Sequence, residues 1–197
     1  MKTFKIFFAK YALLAFAAAV PSLATVIDFE AQAANRGGNL TGIPDLPLTI
    51  GAAAFTGGEL LVGDIGLSAD ATSVYASEGL FGSGETNPVV ITFAAPVQDF
   101  SVFLANGEDS RSYTVADNVG DSVTNSLASV GAFGAATFSL PDSRLTKVTI
   151  TSANTNGWNF AIDNVTFTPA AASPVPEPES MLLMSAGLLV VIAVRRR

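Results

Sequence analysis

Along the middle of the chain apolar and polar residues alternate in short runs, and no long stretch carries a clean helical period. The runs are bounded by Gly, Pro, Asn and Asp, which is the pattern of β-strands separated by turns. Val26–Glu30 alternates, with Ile27 and Phe29 on one face and Val26, Asp28 and Glu30 on the other. Further strands are predicted over Glu59–Gly63, Thr72–Ser77, Pro88–Ala94, Phe100–Ala105, Ser112–Ala116, Ala135–Leu140, Leu145–Thr151 and Phe160–Thr168. Ala95-Pro96 separates the fourth run from the fifth, and Asn106-Gly107 is a turn dipeptide. Ala31–Thr56 is the least regular part, a long surface loop with at most one strand. About nine strands at this spacing predict an all-β domain, an antiparallel β-sandwich of the jelly-roll kind.

The last run contains an irregularity. Phe160 and Ile162 share a face, so strict alternation points Asn164 inward, yet the next apolar residues are Val165 and Phe167. The phase slips by one at Asp163-Asn164, which predicts a β-bulge that re-aims one of two oxygen-bearing side chains.

The two ends differ from this body. Lys2, Lys5 and Lys10 precede the apolar stretch Tyr11–Val20, and Ser22-Leu23-Ala24 supplies the small residues a signal peptidase requires. Residues 1–24 are therefore expected to form a secretory signal helix cleaved after Ala24. At the other end, Ser173-Pro-Val-Pro-Glu-Pro-Glu-Ser180 leads into the apolar run Met181–Val194 and then Arg195-Arg196-Arg197. The prolines favour an extended spacer that cannot join a helix. The apolar run has 14 residues. As a helix it covers roughly 21 Å, short for a hydrocarbon core of about 30 Å. It is a short transmembrane helix, with the arginines held on the cytoplasmic side.

This tail resembles the PEP-CTERM sorting signal of Gram-negative bacteria, on the residues Val175, Pro176, Glu177, Pro178, Glu179 and Ser180 followed by the short helix and the arginines. The resemblance covers residues 174–197. It implies recognition by exosortase, a membrane protease-transpeptidase, with cleavage near Pro176–Pro178. It also implies transient residence in the inner membrane and delivery to the cell surface or the extracellular matrix. Proteins with this signal tend to accompany exopolysaccharide and biofilm. The organisation is thus 1–24 signal peptide, 25–173 β-domain, 174–197 sorting signal.

Charge and composition narrow the function of the body. Three of the 10 Lys and Arg residues lie in the signal peptide and three in the tail. Residues 25–173 keep Arg36, Arg111, Arg144 and Lys147 against 15 acids, a net of −11 (4 − 15). Nucleic acid needs a basic footprint, so it is excluded as a partner. The chain has no Cys and no His. A Ser-His-Asp or Cys-His nucleophile is absent, as are the usual zinc site and haem ligated by His or Cys. Carboxylate, Lys, Tyr and Ser chemistry remains.

Trp158-Asn-Phe-Ala-Ile-Asp-Asn-Val-Thr-Phe167, together with Val26-Ile-Asp-Phe-Glu30, resembles the closing and opening strands of galactose-binding-like jelly-roll domains. Many non-catalytic carbohydrate-binding modules share that pattern. The resemblance implies adjacent first and last strands and a structural Ca²⁺ held by acids, here Asp28, Glu30 and Asp163. Calcium takes six to eight oxygens, so backbone carbonyls or Asn164 would have to contribute. The alternative is that these acids are solvated or cap loops. Asp28 and Glu30 as an acid/base pair for glycoside hydrolysis would need a cleft and one raised pKa, neither of which the sequence signals. Glu108-Asp109 and Asp117–Asp121 read as turns, the second being only a fragment of a calcium-loop pattern. Trp158, in an Asn-Gly loop, and Tyr75 or Tyr113 are candidates for stacking on sugar rings; packing over the sandwich edge is the other role open to Trp158. Asn39-Leu-Thr41 and Asn164-Val-Thr166 fit the N-glycosylation pattern by accident, the second within a strand. The expected function is a non-catalytic structural or adhesive protein. A carbohydrate-binding module with extracellular polysaccharide as partner is the alternative.

Overall fold

The computed structural model describes residues 22–33, 47–62, 69, 73–77, 88–107, 110–129, 134–141, 144–153 and 160–171. These form one antiparallel all-β arrangement with a single helical turn. The elements in chain order are β1 (Thr25–Ile27), α1 (Glu30–Ala33), β2 (Leu48–Ile50), β3 (Ala53–Thr56), β4 (Gly58–Val62) and β5 (Ser73–Ser77). They continue with β6 (Val89–Asn106), β7 (Arg111–Asp117), β8 (Ser122–Leu127), β9 (Ala135–Ser139), β10 (Leu145–Ser152) and β11 (Phe160–Pro169).

The 18-residue β6 organises the rest. Its first half pairs with β3 and β10, and its second half with β9 and β11. One half of the fold therefore runs β2-β3-β6-β10-β7-β8 and the other β4-β5-β11-β6-β9, with β1 added along the end of β11. Rings from strands that are not hydrogen-bonded neighbours meet between the halves. Phe55 of β3 lies 5.4 Å from Tyr75 of β5, and Tyr113 of β7 lies 5.3 Å from Phe160 of β11. The halves thus close over one hydrophobic core, whose members alternate along each strand: Val89, Ile91 and Phe93; Phe100, Val102 and Leu104; Val148 and Ile150.

Two expectations about this region change. The runs on either side of Ala95-Pro96 form a single strand. Pro96 is accommodated because the β10–β6 pairing is irregular between Lys147↔Thr92 and Leu145↔Val97, so no ladder bond depends on the missing N–H. The supposed loop Ala31–Thr56 contains α1, β2 and β3, and Ala53 and Phe55 are fully buried. Among the described residues the count rises from nine strands to eleven, because β2, β3 and β8 join the list while two runs merge into β6.

The predicted slip at Asp163-Asn164 is present. The β11–β6 register shifts between Asp163↔Phe103 and Thr166↔Ser101, and Asn164 sits at φ 46°. A second shift, between Thr166↔Ser101 and Thr168↔Gln98, restores the register, with the extra residue now on β6 and Asp99 at φ 53°. Each bulge uses an Asx residue, the non-glycine type that visits the left-handed region most readily.

The half that contains β4, β5, β11 and the end of β6 is buried on both faces. Leu60 and Tyr75 belong to the main core, whereas Leu61, Val74, Ala76, Ala105 and Ala161 form a second cluster with Phe103 packed against it. All five residues of β5 are buried, which explains its weak alternation in sequence. Gly58 is required here, since a Cβ would run into the Ala76 carbonyl oxygen and the Tyr75 ring.

Candidate functional site

The first and last strands are adjacent, as the jelly-roll resemblance implies. β1 pairs antiparallel with β11 through Thr25↔Phe167, Val26↔Thr166 and Ile27↔Val165. Beyond Ile27 the strand ends. Phe29 turns the backbone at φ 62° and Glu30 opens α1, so Asp28 and Glu30 do not share a strand face. The cause is the Phe29 ring, fully buried 5.2 Å from Phe55 and 6.0 Å from Tyr75. A bulky residue in the left-handed region is a steric outlier, held there by the aromatic packing.

The three candidate calcium ligands differ in their surroundings. Asp28 Oδ1 accepts the Glu30 N–H at 3.2 Å, closing a local turn at an exposed position. Glu30 is half-buried, and its Oε1 is buried with no hydrogen-bond partner. Asp163 is fully buried: Oδ2 accepts the Ala69 N–H at 2.9 Å and Oδ1 accepts the Asn164 N–H at 2.7 Å. Among the described residues no group of three or more acidic side chains is placed to hold a metal ion. Calcium takes six to eight oxygens, so any such site would have to draw on backbone carbonyls beside these side chains. The bulge does re-aim an oxygen-bearing side chain, but inward, as a tie to residue 69 across the sequence.

Other acids and aromatics also have structural positions. Asp117 Oδ1 accepts N–H groups from Val119, Gly120 and Asp121 at 2.9, 2.8 and 2.9 Å, so Asp117–Asp121 is a turn, as expected. Tyr75 and Tyr113 are buried in the core and present no ring to a sugar. The Tyr113 hydroxyl donates to Asn106 Oδ1 at 2.7 Å, and Asn106 Nδ2 donates to the Ala128 carbonyl at 2.8 Å. Asn106 is therefore a buried tie between the end of β6 and the chain after β8 as well as the strand's last residue. Trp158, Asn39, Glu108-Asp109 and the sorting residues Val175–Ser180 lie outside the described residues.

A surface feature that no single motif announces is the outer face of the β3-β6-β10-β7-β8 half. Outward residues on neighbouring strands stand opposite one another: Ser112↔Ser126, Thr114↔Thr124 and Thr151↔Thr114. The hydroxyls of Ser112 and Ser126 are 2.7 Å apart, as are those of Thr114 and Thr124. Thr92 continues the face on β6, opposite Lys147, its one charged residue on these paired strands. The signal in the sequence was the repeated hydroxyl-x-hydroxyl spacing at Ser112/Thr114, Thr124/Ser126 and Thr149/Thr151. Strand alternation puts each such pair on one face.

Residues 174–197 match the family described as the PEP-CTERM protein-sorting motif. The chain thus carries that motif at its C-terminal end, which implies exosortase processing. No curated protein matches the chain. Among solved structures it is similar to a cleaved adhesin domain of Lys-gingipain from Porphyromonas gingivalis, at 14% identity and TM-score 0.43, over 77% of this chain and 99% of that one. It is also similar to a family 29 carbohydrate-binding module complexed with cellulohexaose (13% identity, TM-score 0.40, 76% of this chain and 92% of that chain). A xylan-binding module matches at 15% identity and TM-score 0.34, over 77% of this chain and 99% of its own.

Proposed function

We propose that this chain is an exported, exosortase-sorted structural or adhesive protein of a Gram-negative bacterium. Its jelly-roll domain would be presented at the cell surface or in the extracellular matrix, alongside exopolysaccharide or biofilm, and would act without catalysis. The observation that carries this reading is the sorting motif at residues 174–197. The N-terminal side supports it. Ser22, Leu23 and Ala24 are exposed and without secondary structure, and β1 begins at Thr25, so cleavage after Ala24 leaves every strand intact. A non-catalytic role is supported by the acids near the β1–β11 end. Asp28 accepts a local backbone N–H and Asp163 accepts two, so both carboxylates have a structural use.

Replacing Pro176, Glu177 and Pro178 together by Ala tests the reading in cells. The expected result is retention of the uncleaved tail in the inner membrane fraction, read by mass spectrometry of the C-terminal peptide. Identical processing of the variant and the parent chain would refute it.

A second reading, a carbohydrate-binding module, is favoured by the hydroxyl-rich outer face, which offers uncharged donors and acceptors within an otherwise acidic body. Under it, Trp158→Ala or Thr114→Val with Thr124→Val weakens retention on immobilised polysaccharide. Indifference to every glycan tested leaves the adhesive reading.

A further inference from the structure

We propose that the outer edge of β8 is a pairing edge for β8 of a second copy of this chain. β8 ends the strand path, and its register with β7 runs unbroken from Arg111↔Leu127 to Ala116↔Ser122. Among the described residues no second strand lies along its other edge. An edge of this kind presents a row of unpaired N–H and C=O groups. Proteins usually blunt such edges with charge, proline, a bulge or very short length. Ser122-Val-Thr-Asn-Ser-Leu127 has no charge and no proline, and no register shift marks its pairing with β7. Ser122, Thr124, Asn125 and Ser126 are exposed, while Leu127 turns into the core, so the free length is Ser122–Ser126. Of the other edges among the described residues, β1 and β2 have three residues each and β4 carries Glu59, while β9, paired with β6 alone, is likewise uncharged but shorter than β8 and keeps Phe138 buried within it.

The chemistry of the edge selects the occupant. Alternating backbone donors and acceptors are complementary to another strand edge. An antiparallel strand pairs with its own copy about a two-fold axis, using the same residues on both sides. Charge restricts where two copies can meet. The body carries a net −11 over residues 25–173 (4 − 15), so acidic surfaces repel, whereas β8 contains no acid. Pairing there extends the row Ser112–Ser126 and Thr114–Thr124 into the next molecule, joining the two hydroxyl faces.

The chain has no cysteine, so a single introduced thiol reports proximity without competition. Full-length chain in mild detergent, carrying Ser122→Cys, Thr124→Cys or Ser126→Cys, is treated with a mild oxidant and compared with Thr92→Cys, an exposed position in mid-sheet. A disulfide needs Cα atoms within about 7 Å, so Thr124→Cys near the two-fold axis is expected to give roughly tenfold more dimer than Thr92→Cys. Thr124→Lys and Thr124→Asp, each in the cysteine-free chain, should both lower the dimer fraction seen by sedimentation, because either sign places like charges opposite one another across the axis. Absence of dimer at all three β8 positions overturns the proposal. Equal dimer at Thr124→Cys and Thr92→Cys does so too. Suppression by only one sign of charge means a partner other than a copy, and also overturns it.

Discussion

Phe29 concentrates the physics of this fold in one residue. Its backbone lies at φ 62°, a conformation that costs an L-residue about 1–2 kcal/mol. Its ring is fully buried among Phe55 and Tyr75, and that burial offsets the strain. Phe29→Ala is expected to cost about 3–5 kcal/mol. Phe29→Gly should be less damaging than Phe29→Ala by roughly 0.5–1 kcal/mol, because glycine relieves the positive φ. Urea unfolding of the two variants checks the order, and the reverse order would mean that no strain is stored. Asn106 and Tyr113 offer a second test. Tyr113→Phe removes the 2.7 Å hydrogen bond at the end of β6 and should lower stability by about 1–3 kcal/mol, measured in a double-mutant cycle with Asn106→Ala. The burial of Ile27 and Phe29 was legible from alternation alone. The left-handed backbone at Phe29 was not, because it is held by rings contributed by β3 and β5, distant in the chain.

At the scale of elements, the paired bulges in β6 and β11 carry the main lesson. One extra residue at Asn164 is compensated by one at Asp99, so the two strands leave register and regain it within a few residues. Asn164→Gly should be tolerated. Asn164→Val places a β-branched residue at positive φ and should cost at least about 1–2 kcal/mol, seen as a lower urea midpoint at unchanged slope. The slip in β11 was readable because inward residues change from Phe160 and Ile162 to Val165 and Phe167. The same rule applies to β6, where they change from Val89, Ile91 and Phe93 to Phe100, Val102 and Leu104. There it was masked by Ala95-Pro96, whose proline reads as a strand break. Strand β8 was missed for another reason: only Val123 and Leu127 are apolar, since an edge strand with one exposed face needs few inward residues.

At the scale of the whole molecule, the acid excess of residues 25–173 sets the response to salt. Raising ionic strength from about 10 mM to about 150 mM shortens the Debye length from roughly 30 Å to 8 Å. Self-repulsion then weakens, and the thermal midpoint of the mature protein should rise; a fall would mean that attractive ion pairs dominate. Asp163→Asn should lower the midpoint equally with calcium and with chelator, since its carboxylate is engaged by backbone N–H groups. A calcium-dependent difference between parent and variant would instead support a metal site at Asp163. By itself the sequence determined the all-β class, the inward positions of most strands, the slip at Asp163-Asn164, and the address written in Val175–Ser180. Each of these depends on local periodicity or on a linear motif read by another protein. Tertiary structure alone decided that one strand serves both halves, that Tyr75 and Tyr113 lie inside, and that Asp28 and Glu30 do not share a strand face. It also decided that hydroxyls from successive strands share one face. Those features depend on which distant segments pair and in what register, and a one-residue shift in pairing moves a side chain from surface to core.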